Sequence, residues 1–104
     1  MADEARASSA LDALGHPTRR RVLELLRDGE LTVAGLTREL PVSQSAVSQH
    51  LRVLAGAGLV DSRPSGTRRY YRVAPDGLVA VRAYLDTFWD GVLDAFTAYA
   101  EENP

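Results

Sequence analysis

Hydrogen-bonding side chains crowd the stretch SQSAVSQHLR, residues 43–52, as Gln44, Ser45, Ser48, Gln49 and Arg52. An α-helix advances about 100° per residue. Wound that way, Val47, Leu51 and Leu54 fall within roughly 60° of one another, with the small Ala55 beside them, and point inward. Ser45, Ser48, Gln49 and Arg52 fall on the other side, roughly 100° to 200° from Val47. Gln pairs bidentately with adenine, Ser adapts to several base edges, and Arg takes guanine or a phosphate. A recognition helix presents such groups to the major groove from its N-terminal half. Gln44 in the first turn can reach a phosphate, and the open amides of that turn favour an anion. The competing reading is that the Ser/Gln-rich start only caps the helix well.

A second set of residues points to the same chemistry. SGTRR places Gly66 in a turn with Arg68 and Arg69 beside it. Such a wing lays guanidinium groups along phosphates or into a minor groove. Tyr70 and Tyr71 alternate faces of the strand, so one packs inward. Arg63 and Arg72 are either DNA contacts or charges on the strand surface.

These residues need elements to hold them. Residues 1–8 read as a flexible tail. Leu11 and Leu14 suggest a short helix ending at Gly15. In HPTRRRVLELLRDG, Pro17 suits the first helical position, His16 can cap it, and Gly29 marks the stop. Val22, Leu23, Leu25 and Leu26 form the apolar face. ELTVAGLTREL predicts a third helix capped by Thr32, with Val33, Leu36 and Leu40 on one face. Pro41 breaks the pattern, and Ser43 caps a fourth helix over 44–57 that Gly56 and Gly58 end. Two helices across a tight PVS turn make a helix-turn-helix. Leu59–Arg63 and Arg69–Val73 predict two strands joined by a turn over 64–67, a wing spanning 63–72. Pro75 and Asp76 open a last helix, 76–101. The expected fold is mostly α with a small β-hairpin wing: a winged helix-turn-helix of about five helices and two strands, dimeric. It forms a single domain over 1–104, with a DNA-binding core at 9–73.

Composition bounds the function. The chain has 104 residues, 45% hydrophobic and 25% charged, with no cysteine. That is ordinary for one globular domain and leaves no disulfide or thiolate metal site. No apolar run is long enough to span a membrane, and MADEARASSA lacks a basic-then-apolar leader pattern, so the expected location is the cytoplasm. The net charge of −2 hides an uneven distribution. Residues 19–72 carry ten arginines against five acids, whereas residues 73–104 carry Arg82 against six acids. A polyanion could meet the basic middle alone; the plain alternative is an uneven solvated surface. Serines clustered at helix starts and two histidines without local partners do not make a catalytic site, so no enzyme is expected.

The last helix repeats apolar residues at Leu78, Val81, Leu85, Phe88, Val92, Phe96 and Tyr99, widened by Tyr84, Trp89 and Leu93. That is more apolar surface than a small domain covers, and the same helix of a second copy would bury it. The competing reading is that these residues complete the monomer core. Asp86, Asp90 and Asp94 form a solvated acidic stripe that could also repel DNA. Gly91 either permits close packing or kinks the helix. The aromatic cluster of Phe88, Trp89 and Phe96 is either interface or a seat for a small apolar effector.

HPTRRRVLELL, then LTVAGLTRELPVSQSAVSQHLRVLAGAGLV, then RRYYRV resemble the ArsR-type (SmtB/ArsR) winged helix-turn-helix repressors over roughly residues 9–85. The resemblance implies a homodimer that binds an inverted-repeat double-stranded DNA operator and blocks transcription until a signal releases it. That signal would be an unidentified small-molecule or protein effector, or none. It further implies a dimer interface of the first and last helices, here Leu11, Leu14, Leu85, Phe88, Trp89 and Val92. The family's cysteine pair would fall at Thr32 and Ala34, which supply no thiolate, and its Asp/His site needs histidines that do not occur after His50. The chain thus resembles the subgroup lacking the cysteine metal site; no metal and no cofactor are expected. His50 in the "HL" pair reads as structural. The alternative function is a winged-helix protein-interaction module without specific DNA binding.

Overall fold

A computed structural model describes residues 2–103. The described residues form α1 (Ala2–Leu14), α2 (Pro17–Arg27), α3 (Val33–Arg38), α4 (Gln44–Gly56), β1 (Val60–Ser65), β2 (Arg68–Val73) and α5 (Pro75–Glu102). One core unites the elements. Val22, Leu23 and Leu26 from α2 meet Leu36 from α3, Val47, Leu51 and Leu54 from α4, Leu59 and Val60 from the start of the wing, and Val81 from α5. Full burial of each such side chain stabilises by about 1.5–3 kcal/mol.

Local chemistry sets the helix limits. His16 Nδ1 accepts from the Thr18 N–H at 3.2 Å and caps α2 ahead of Pro17. Thr32 accepts from Gly35 N at 3.1 Å, and Ser43 accepts from Ala46 N at 3.1 Å, so both expected caps are formed. α4 ends in a Schellman arrangement: Leu59 N donates to Leu54 O at 2.9 Å and Gly58 N to Ala55 O at 3.1 Å, with Gly58 at φ 72°. Leu40 lies past the end of α3 yet is buried.

Four expectations need correction. The tail expected over residues 1–8 is helical from Ala2 onward; Met1 lies outside the described residues. The reason is packing. Ala7, Ala10 and Ala13 are buried, and their small side chains let α1 lie close along α5. Of the two leucines near the end of α1, Leu14 is half-buried against the core and Leu11 is exposed. Ala55 does not point inward but is exposed beside the cleft that α1 leaves at the end of α4. The turn is also tighter than expected. β1 runs through Pro64, which pairs with Arg69, and Ser65 pairs with Arg68, leaving only Gly66–Thr67 to connect them. Gly66 at φ 63° supplies the conformation that a two-residue II′ turn requires at its first position. Pro64 is tolerated because β1 lies at a sheet edge. Finally, Leu31 joins the sheet, with Tyr71 N donating to Leu31 O at 2.8 Å and Leu31 N to Tyr71 O at 3.1 Å. Tyr71 is thereby the inward tyrosine, packed against the core.

α2 also holds its neighbours. Arg19 Nε donates to Ala13 O and Arg20 Nη1 to Leu14 O, both at 2.7 Å. α1 has no basic residue in its last turn, so these guanidinium groups satisfy its terminal carbonyls from another helix. The His16 and His50 rings lie 4.7 Å apart, joining the start of α2 to α4. Burial, then His16 and Arg19, push the His50 pKa below its ordinary 6.5.

Gly77 lies where α5 crosses the α4–β1 turn. A Cβ there would stand 2.6 Å from Ala57 O and 2.9 Å from Leu59 Cδ2. Gly77→Ala is expected to destabilise the fold by about 1–3 kcal/mol in urea unfolding. Gly56→Ala, whose Cβ meets nothing within 4 Å, serves as the control and leaves stability equal or higher.

The His50 shift gives a pH dependence. Above pH 6.5, folded and unfolded chains both carry a neutral His50. As pH falls through that value the unfolded chain takes the proton more readily, so stability drops until the folded pKa is passed. In urea titrations between about pH 7.5 and pH 5.5, His50→Gln is expected to lose less stability than the wild type.

Candidate nucleic-acid interface

The outward face of α4 follows from its buried one. Val47, Leu51 and Leu54 are 0%, 1% and 0% exposed, so the helix has one possible rotation. Gln44, Ser45, Gln49 and Arg52 are exposed on it, and Ser48 is half-buried. Ser45, Gln49 and Arg52 therefore share one open surface, with Ser48 at its edge and Gln44 exposed at the start of the helix. Ser45 Oγ lies 3.2 Å from Ser43 Oγ, which ties it to the cap. Among the described residues, Gln44, Gln49 and Arg52 have no side-chain hydrogen bond, leaving their donors and acceptors open to a ligand.

The wing arginines divide into two groups. Arg63 is engaged internally: Nε donates to Glu30 Oε2 at 2.9 Å, Nη2 approaches Oε1 at 3.4 Å, and the guanidinium lies 5.1 Å from the Tyr70 ring centroid. Arg72 Nε donates to Asp61 Oδ1, and that hydrogen bond, followed by the Asp61 charge, raises its pKa further. Both residues left open by the sequence thus carry an ion pair to a carboxylate on the strand surface. Arg69 Nη1 donates to Ser62 Oγ at 3.0 Å across the hairpin and retains its other donors. Arg68 is exposed next to the turn with no such partner among the described residues.

Sequence reading missed the Glu30–Arg63–Tyr70 cluster. Glu30 and Arg63 are 33 residues apart, and only the strand register brings them together. The cluster and the Leu31–Tyr71 bridge anchor the wing to the α2–α3 loop, fixing how Arg68 and Arg69 sit beside α4.

The candidate partner surface is equally open. α5 is exposed at every described residue from Arg82 on, with Phe88 at 55%, Trp89 at 57% and Phe96 at 70%. Leu85 and Val92 lie on the same helix and are exposed too. Tyr84 and Phe88 meet edge to face at 5.2 Å. Asp86, Asp90 and Asp94 recur one turn apart on the side roughly opposite Phe88 and Val92. No group of three or more His, Asp or Glu among the described residues gathers closely enough to hold a metal ion. No helix among them is long and apolar enough to cross a membrane.

Comparison with known proteins agrees with this geometry. The sequence pattern of the bacterial regulatory proteins of the arsR family matches residues 16–62, from the His16 cap into β1. The chain is 52% identical over 92 residues to the HTH-type transcriptional regulator Rv2034 of Mycobacterium tuberculosis, covering 88% of this chain and 83% of that protein. A crystal structure of a possible transcriptional regulator for arsenical resistance superposes with a TM-score of 0.73 at 50% identity, covering 86% of this chain and 94% of the other. A solution structure from Mycobacterium bovis, described as a homodimeric winged helix-turn-helix DNA-binding domain, superposes with a TM-score of 0.68 at 28% identity, covering 88% and 84%.

Proposed function

The chain belongs to the arsR family of bacterial regulatory proteins, and on that footing we propose that it acts in the cytoplasm as a homodimeric repressor of transcription. It binds an inverted-repeat operator through the outward face of α4 and the wing. The observation that carries this reading is the pairing of a fully buried seam with an open polar face on one helix, an unpaired Arg68 standing alongside. α4 enters the major groove, where Gln49 and Arg52 meet base edges and Ser45 and Ser48 adapt to them. Gln44, Arg68 and Arg69 hold phosphates and so set the register.

Two copies of α4 are needed to read an inverted repeat. The Mycobacterium bovis domain is homodimeric, and the same assembly here would cover Leu11, Leu14, Leu85, Phe88, Trp89 and Val92. The release signal is not a metal held where the family's other members place cysteines, because Thr32 and Ala34 provide no thiolate. A small apolar effector at Phe88, Trp89 and Phe96 is the alternative to subunit contact for those aromatic residues.

Gel shifts on promoter DNA across a salt series test the reading. The wild type is expected to lose affinity steeply as salt rises, because phosphate contacts release counterions. Gln49→Ala is expected to cost about 1–3 kcal/mol on the operator and to relax one base preference. Arg68→Ala is expected to weaken all sequences alike and flatten the salt slope by about one. Salt-independent or absent binding by the wild type would favour a protein-interaction module instead.

The assembly has its own test. Phe88→Asp is expected to sediment as a monomer where the wild type sediments as a dimer. A variant that remains dimeric would remove Phe88 from the interface.

A further inference from the structure

A groove of about 460 Å³ separates α3 from the wing. We infer that it seats the sugar–phosphate backbone of one DNA strand, and that Arg38 is a phosphate ligand on its α3 wall. The inference rests on the DNA-binding reading and extends it to an element that the sequence marks only as scaffold.

The groove joins three elements. Arg38 and Thr32 belong to α3 and its cap, Gln44 opens α4, and Arg68 and Arg69 belong to the wing. Its charge is mostly positive. The one carboxylate on it, Glu30, is already bound by Arg63 at 2.9 Å. Arg38 is exposed, and among the described residues neither the Arg38 nor the Arg68 side chain makes a hydrogen bond or ion pair within the chain. Two guanidinium groups on facing walls therefore have all their donors available. A guanidinium offers a planar fork that matches two phosphate oxygens.

The duplex itself says which ligand passes there. With α4 in the major groove and the wing at the neighbouring minor groove, the strand dividing the two grooves must run between the start of α4 and the wing. That is the position of this groove, lined by Gln44 on one side and by Arg68 and Arg69 on the other. Arg38 meets the same strand from α3. The phosphate is then clamped between a helix of the core and the wing, and the Glu30–Arg63 pair fixes the opening between them.

Fluorescence anisotropy on a labelled mixed-sequence duplex of about 30 base pairs, between about 50 and 200 mM salt, tests the contact without knowledge of the operator. Arg38→Gln is expected to weaken binding about three- to tenfold and to reduce the slope of log affinity against log salt by about one. Arg38→Lys retains the charge and is expected to restore the slope. Arg82→Gln, on α5 and outside the groove, is expected to match the wild type in both. An Arg38→Gln variant with wild-type affinity and slope would overturn the proposal while leaving the DNA-binding reading intact. A wild type without salt-dependent binding would overturn the DNA-binding reading, and this contact with it.

Discussion

The rotation of α4 is the constraint on which the rest depends. Val47, Leu51 and Leu54 are completely or almost completely withdrawn from solvent, and they share one side of the helix. Turning the helix by one residue would bring Gln49 or Arg52 toward the core, where an unpaired amide or charge is costly. The hydrophobic seam therefore does more than stabilise the domain. It determines which side chains face out, and the Ser43 cap and the Gly58 turn determine where that face begins and ends.

The electrostatics follow a similar division. All twelve cationic side chains are arginines, and the fold sorts them by their partners. Arg19 and Arg20 close the end of α1, Arg63 and Arg72 pair with carboxylates, and among the described residues Arg38, Arg52 and Arg68 stay without a side-chain partner near α4 and the wing, as Arg6, Arg21, Arg27 and Arg82 do elsewhere. Counting basic residues would credit all of them to a polyanion. Geometry instead sets apart the cluster near α4 and the wing, while the acidic residues recur along the longest helix. A net charge near neutrality thus coexists with a strongly cationic surface.

Much of this was legible in the sequence, for physical reasons that are local. Ser43, Thr32 and His16 cap the residues just after them, and the Val47, Leu51 and Leu54 spacing of α4 survives, Ala55 excepted, because a helix imposes its own period. The early start of α1 was not legible, because an alanine face carries little hydrophobic signal until a facing helix makes close approach favourable. Nor was the length of the hairpin turn, since Pro64 is both a turn residue and an acceptable edge-strand residue. The Glu30–Arg63–Tyr70 cluster and the contact of the His16 and His50 rings depend on chain segments meeting across the fold. Of the candidate interface, the exposed face of α4 was readable from periodicity, whereas the division of the wing arginines required the register of Asp61 with Arg72 and the position of Glu30.

Beyond Thr87, which with Ala83 and Tyr84 borders α1, every described residue of α5 is exposed. A free helix of that kind gains little beyond its intrinsic propensity, and Gly91 lowers even that. Its order must then be supplied by mass action, through the abundance of the molecules around it. Dilution would fray this arm while the compact domain persisted, so the number of copies in a cell would govern how much of the population is fully built.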